Sequence, residues 1–259
     1  MRAKVRIFYL CALMEDLQRI WTDHYTVNWY DADPGNRAGM VSICKFLQES
    51  AWNHANHLGC GYRTAGEVNQ AWVIVRLLVK MERFPAWEER ITVRTWPRGM
   101  DGLLAVRDFE ILDVHGKKIG GASSHWLVID SVTRKPQPAV IVRDIVPLAT
   151  GEPATDEQPE KIHIHDALPY HHTEKARFGD IDMYQHVNNT RYVEWSLNLF
   201  PEEHLRSRQL TMMLIEFLAE CRLGDEINLF CDAGANPSFA RGVRQEDDKI
   251  VFRAKFRWS

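Results

Sequence analysis

Met40, Ile43, Leu47, Ala51, His54 and Leu58 recur at three- and four-residue steps, so they share one face of a helix. Gly59 is a natural stop for it, because glycine takes the left-handed C′ conformation without a Cβ penalty. Ahead of the helix, DHYTVNWY (Asp23–Tyr30) has the alternation of a strand and DADPGNRAG reads as a polar turn-rich loop. Behind it, Ala71–Phe84 is too β-branched and continuous for a surface helix, and Glu89–Trp96 alternates cleanly. Gly102–Asp113 and Lys117–Asp130 flank a hairpin turn at VHG. From Arg134 to Lys161 periodicity stops and five prolines punctuate the chain (Pro136, Pro138, Pro147, Pro153, Pro159), as in a linker that packs across a surface.

The same programme then begins again. Leu168–Phe178 reads as a strand, GDIDMYQH as a polar loop, and Val187–Phe200 as a helix stopped by Pro201. Strands are expected over Thr211–Arg222, Glu226–Asp232, Ser238–Glu246 and Ile250–Trp258. An offset of 149 lays Trp29 on Phe178, Asp31 on Asp180, Asp33 on Asp182 and Ile43 on Tyr192. Further on, an offset of 137 lays Leu78 on Ile215, Glu88 on Asp225 and Glu89 on Glu226, but also Arg83 on Glu220 and Ile91 on Asn228. The pattern predicts a duplicated unit of one helix and one antiparallel sheet, and two such apolar sheet faces pair most simply into a single body.

The 259 residues suffice for one large domain or two small ones. A net charge of −3 argues against nucleic acid as partner. Cys11, Cys44, Cys60, Cys221 and Cys231 are scattered without CxxC spacing, so they read as small buried hydrophobes in a reducing compartment. Residues 1–14 carry a short apolar run behind Arg2, Lys4 and Arg6, too short to span a bilayer and without a small-residue cleavage site. The expectation is a cytoplasmic protein with an N-terminal extension, Met14 being a plausible start. His54 and His57 are three apart, but no third ligand accompanies them, and no cofactor or metal is expected. Trp52, Trp72, Trp87, Trp96 and Trp126 read as core or pocket wall.

Candidate chemistry concentrates in FGDIDMYQHVNNTRYVEW (Phe178–Trp195). If the polar segment is extended, period-2 geometry points Asp182, Tyr184 and His186 the same way at a helix entrance. A carboxylate, a phenol and an imidazole brought together there can build acid–base chemistry.

DIDMYQHVNN followed by RYVEW resembles the acyl-acyl carrier protein (acyl-ACP) thioesterase family, in its bacterial form. FLQESAWNHA (Phe46–Ala55), RFPAWEERITVRTW (Arg83–Trp96), GASSHWLVIDSVTRKP (Gly121–Pro136) and IEFLAECRLGDEI (Ile215–Ile227) are similar to family segments in the same order. The resemblance implies an α+β double hotdog: each half wraps an antiparallel sheet round a long helix. Residues 21–133 would form the acyl-pocket half, 134–162 the linker and 163–259 the catalytic half, with 1–20 an extension. It further implies hydrolysis of fatty acyl-ACP, with Glu220 as general base, His186 positioning or polarising the reacting groups and Asp182 orienting the site.

Cys221 competes as a thiolate partner of histidine, but consecutive strand residues face opposite ways, so Glu220 is preferred and Cys221 is read as packing. Tyr184 stands where the family has asparagine. Asn188 or Asn189 can supply an amide instead, or cap the helix. Acyl-CoA hydrolysis, or acyl-thioester binding without turnover, are the alternatives. Acidic carrier protein is the expected partner, with Lys175, Arg177, Arg191, Arg206 and Arg208 as candidate docking cations, no nucleic acid or membrane, and a monomer or homodimer.

Overall fold

A computed structural model describes residues 18–67, 69–138, 152–164 and 167–259. The expectations for residues 1–17 and for the middle of the linker lie outside the described residues. The first half contains β1 (Trp21–Thr26), α1 (Met40–His57), α2 (Tyr62–Glu67), β2 (Gln70–Met81), β3 (Arg90–Asp101), β4 (Leu104–Leu112) and β5 (Lys118–Asp130). The second contains β6 (Tyr170–Lys175), α3 (Asn189–Leu197), α4 (Glu202–Ser207), β7 (Leu210–Phe217), β8 (Glu226–Asp232), β9 (Ser238–Arg244) and β10 (Ile250–Trp258).

Among the described residues, ten strands form one antiparallel sheet, ordered β1-β3-β4-β5-β2-β7-β10-β9-β8-β6. The order runs outward twice from the β2–β7 join, so each half repeats the other's topology. On α1 the expected stripe is buried: Ile43, Leu47, Ala51 and His54 are all nearly inaccessible, and Gly59 takes φ +70° just past the end. Residues of α1, α3 and the inner sheet face share one apolar core that includes Phe109, Ile215, Phe252 and Phe256. Strands read from alternation bury alternate residues, as in β8, where Ile227, Leu229 and Cys231 point inward. Among the described residues, no helix is long and apolar enough to cross a membrane.

The duplication is visible in hydrogen bonds, and it corrects one offset. Single 3₁₀ turns at Trp29–Asp31 and Phe178–Asp180 stand 149 residues apart. In the sheet the offset is 136 rather than 137: Ala86 N–H donates to Glu89 Oε2 as Arg222 N–H donates to Asp225 Oδ2, both at 2.9 Å. Glu88 therefore corresponds to Gly224, both at positive φ. A one-residue slip turns every strand residue to the wrong face, which is why 137 gives poor pairs. At 136, Ile91 meets Ile227, and both are core residues.

Residues 152–164 lie across the join. Glu157 pairs with Lys80 of β2 at 2.9 Å and with Arg257 of β10 at 2.6 Å. Ile162 packs on Leu78, Met212 and Leu214. The four described cysteines are buried free thiols.

Candidate active site

The polar loop closes on itself as a turn, so the extended alternative is not taken. An isolated bridge, Ile181 to Val187, closes it. Inside, Asp182 N–H donates to His186 O at 2.9 Å and Gln185 N–H to Asp182 O at 3.0 Å. Asp182 Oδ1 accepts the Tyr184 N–H at 2.8 Å and the His186 N–H at 3.5 Å, while Gln185 takes φ +65°. Such side-chain-to-backbone bonds offer the chain an alternative to strand geometry. Period-2 alignment of Asp182, Tyr184 and His186 is thereby lost. Asp182 folds the loop, and the Tyr184 side chain is exposed. Asn188 is the N-cap of α3, its Oδ1 accepting from Thr190 N–H at 3.0 Å.

Glu220 is expected within a strand, but β7 ends at Phe217. Leu218 and Ala219 both aim their N–H groups at Val251 O, at 2.9 and 3.3 Å, so the ladder breaks there. Val187 N–H donates to Cys221 O at 2.8 Å, which ties the loop to this segment. The side chains then meet: His186 Nε2 lies 3.3 Å from Glu220 Oε2. Glu220 Oε1 contacts Arg134 Nη2, from the turn that leads from β5 into the linker. Burial, followed by the Arg134 and Arg222 charges, holds His186 below its ordinary pKa, opposed by Asp182. That favours a neutral imidazole able to take a proton.

Cys221 faces the other way. It is fully buried, and burial pushes its thiol up to about 11, which disfavours the nucleophilic thiolate. Its backbone N–H donates to Tyr192 Oη at 3.1 Å.

A narrow apolar cleft of about 30 Å³ opens beside the α3 entrance, between the halves. Leu47, Leu77, Phe109 and Trp126 come from the first half, and Asn189, Val193 and Phe217 from the second. Asn189 thus lines the cleft while Asn188 caps the helix.

The first half carries the same loop without the acid–base pair. Asp33 Oδ1 accepts from Gly35 N–H at 2.7 Å and Arg37 N–H at 3.4 Å, and Asn36 is at φ +57°. Arg37 occupies the His186 position and lies 5.9 Å over the ring of Phe84, which stands where Glu220 does. At the two matching loops, the imidazole and carboxylate of the second half are replaced by Arg37 and Phe84 in the first.

Other expectations resolve similarly. Arg107, a donor only, reaches His54 Nδ1 at 2.9 Å, so Nε2 carries the proton and donates to Gln18 O at 2.8 Å. Burial, with Arg107, pushes His54 down to about 3. Both ring nitrogens are occupied, and His57 Nε2 accepts from Gln18 N–H at 3.1 Å. Trp126 is pocket wall and Trp96 core, whereas Trp87 is exposed and meets Trp29 edge-on at 6.2 Å. Of the five candidate docking cations, Lys175, Arg191 and Arg206 pair with Glu226, Asp180 and Glu202. Arg134 escapes the sequence reading because it falls at the start of the linker. Its local signal is the Asp130-x-x-Thr133 turn chemistry just ahead of it.

Two copies of a helix against one continuous antiparallel sheet, with an imidazole and a carboxylate at one helix entrance, define a hotdog-type α+β protein. Residues 18–146 match the acyl-ACP thioesterase N-terminal domain and residues 166–259 the C-terminal domain. The chain belongs to the acyl-ACP thioesterase family. The crystal structure of an acyl-ACP thioesterase from Bacteroides thetaiotaomicron superposes with a TM-score of 0.84 at 31% identity, over 93% of this chain and 98% of that one. The 12:0-ACP thioesterase from Umbellularia californica shares the fold, with a TM-score of 0.80 at 20% identity, over 93% of this chain and 98% of that chain. A chloroplastic acyl-[acyl-carrier-protein] hydrolase of Cuphea viscosissima is 27% identical over 92% of this chain. The chain spans 62% of that relative's length.

Proposed function

We propose that this protein hydrolyses fatty acyl thioesters carried on ACP, releasing fatty acid and carrier protein, within a double hotdog whose halves are residues 21–133 and 163–259 joined by 134–162. The observation that carries the reading is the 3.3 Å approach of His186 Nε2 to Glu220 Oε2 at the α3 entrance. Glu220 takes a proton from water, whose oxygen bonds to the thioester carbon. Collapse of the tetrahedral intermediate breaks the C–S bond, and the proton passes to the leaving thiolate. His186 polarises and steers these groups, and Asp182 holds the loop that presents it. The Asn189 amide, on the cleft wall, is the side chain we assign to the developing oxyanion. The cleft has room for only a water or two as it stands, so acyl entry requires its apolar side chains to give way.

Thiol release from a chain-length series of acyl-ACP and acyl-CoA tests the reading. ACP substrates are expected to turn over faster, and equal or faster use of CoA defeats the carrier assignment. Tyr184 favours the second reading, an acyl-thioester binder without turnover, because its exposed phenol replaces the family's amide. In that case bound thioester stays intact. Cys221→Ala is expected to keep hydrolysis within a few-fold of wild type, and its loss with the fold intact would restore the thiolate mechanism.

A further inference from the structure

We infer that Arg134, in the turn that leads from β5 into the linker, is a positioning residue for the acid–base pair of the C-terminal half: it anchors the Glu220 carboxylate so that its second oxygen meets His186. The inference rests on the site reading given above. Glu220 lies beyond the end of β7 at Phe217, outside the strand ladder. Its two oxygens divide between partners, Oε1 to Arg134 Nη2 and Oε2 to His186 Nε2.

Two of the other charges nearby, Arg244 and Asp182, are engaged elsewhere. Arg244 binds the Glu220 carbonyl at 2.6 Å and pairs with Asp247 at 2.7 Å, 3.7 Å from Asp225. Asp182 is taken up by loop N–H groups. Arg222 acts on His186 through its field. Among the described residues, the Lys or Arg that touches the Glu220 carboxylate is Arg134.

The turn that carries Arg134 is strongly organised. Asp130 Oδ1 accepts from Val132 N–H at 3.0 Å and from Thr133 N–H at 2.6 Å. Asp130 Oδ2 accepts from Gln137 Nε2 at 2.9 Å. Arg134 N–H donates to Asp130 O, and Asp130 N–H to Lys135 O, both at 2.9 Å. An isolated bridge joins Ile129 to Pro136. Arg134 itself is held at φ +59°, a conformation uncommon outside glycine and asparagine. A fixed turn, tied to β5 at the head of the linker and presenting one cation to a carboxylate of the C-terminal half, makes the site depend on more than that half alone. Arg134 and Glu220 are each more than a third exposed, and such pairs add little to stability. The consequence lies in alignment.

Arg134→Ala and Arg134→Lys, assayed on a small soluble acyl thioester and on acyl-ACP beside Glu220→Gln, test this. Arg134→Ala is expected to lower kcat about 10- to 100-fold on both substrates with little change in KM or Tm, the scale of a misplaced reacting group. Arg134→Lys should recover part of it. Removing a like charge raises the His186 pKa toward its ordinary value, so neutral imidazole is lost at a higher pH and the acid limb of the rate profile moves up. The same change is read without turnover by NMR titration of His186, assigned with His186→Gln.

Unchanged rate and unchanged titration in Arg134→Ala overturn the inference. So does a loss confined to KM for acyl-ACP, which marks a docking cation. If Glu220→Gln also hydrolyses normally, the site reading falls instead, and the titration alone decides whether Arg134 couples to His186.

Discussion

Glu220→Gln is expected to lower kcat for acyl-ACP hydrolysis by about two to four orders of magnitude, the range general acid–base groups supply. The substitution keeps the shape and removes the proton acceptor. The introduced amide can still meet His186 and Arg134, so the loop tied by Val187 N–H to Cys221 O stays in place. The Glu220 side chain is 36% exposed and Arg134 is 41% exposed. An unpaired Arg134 is then solvated rather than stranded, and the melting temperature should move by only a few degrees. Retained hydrolysis in the variant would remove Glu220 from the chemistry. Retained acyl-thioester binding without turnover in both proteins would favour the binding-only reading that Tyr184 raises.

The parts of the fold that the chain advertises are those where one periodicity governs. The α1 stripe from Met40 to Leu58 and the strands at Glu226–Asp232 and Ile250–Trp258 lie where apolar spacing places them. The 182–186 segment reads as a polar loop, but its internal geometry escapes because Asp182 satisfies backbone N–H groups two and four residues on, and this local bonding overrides alternation. The repeat offset slips for a related reason. Matching acid to acid puts Glu88 on Asp225, whereas the backbone asks for a left-handed residue at Glu88 and Gly224. His171 and His172, consecutive on β6, have ring nitrogens 2.9 Å apart where the strand shifts register. The meeting of Arg134 with Glu220 depends on how two halves abut, and no local pattern encodes it.

A second large effect is expected at the join of the halves, where Glu216→Ala should destabilise the protein by about 3–5 kcal/mol. Arg76 and Glu216 stand directly opposite across β2 and β7, with Arg76 Nε 3.0 Å from Glu216 Oε1. Their side chains are only 15% and 3% exposed. Arg76 also reaches toward Pro159 O at 3.4 Å, so the 152–164 segment helps cover the pair. Arg253 Nη1 stands 3.8 Å from Glu216 Oε2, and His125 Nδ1 is 3.5 Å from Arg76 Nη1. Removing the carboxylate leaves a buried guanidinium among a second arginine and a histidine that burial, followed by Arg76, already pushes down to about 4. Its desolvation is then uncompensated, and a fall in Tm of roughly 10 °C follows for a chain of this size. Replacing both partners, Arg76→Leu with Glu216→Leu, should recover most of that loss, because apolar residues of similar volume often match a buried ion pair. A double variant no more stable than Glu216→Ala would mean that the pair sets the register of the join rather than merely neutralising it. The activity of Glu216→Ala should fall with the folded fraction, unlike Glu220→Gln, because Leu77 and Phe217, the next residues along each strand, line the cleft between the halves.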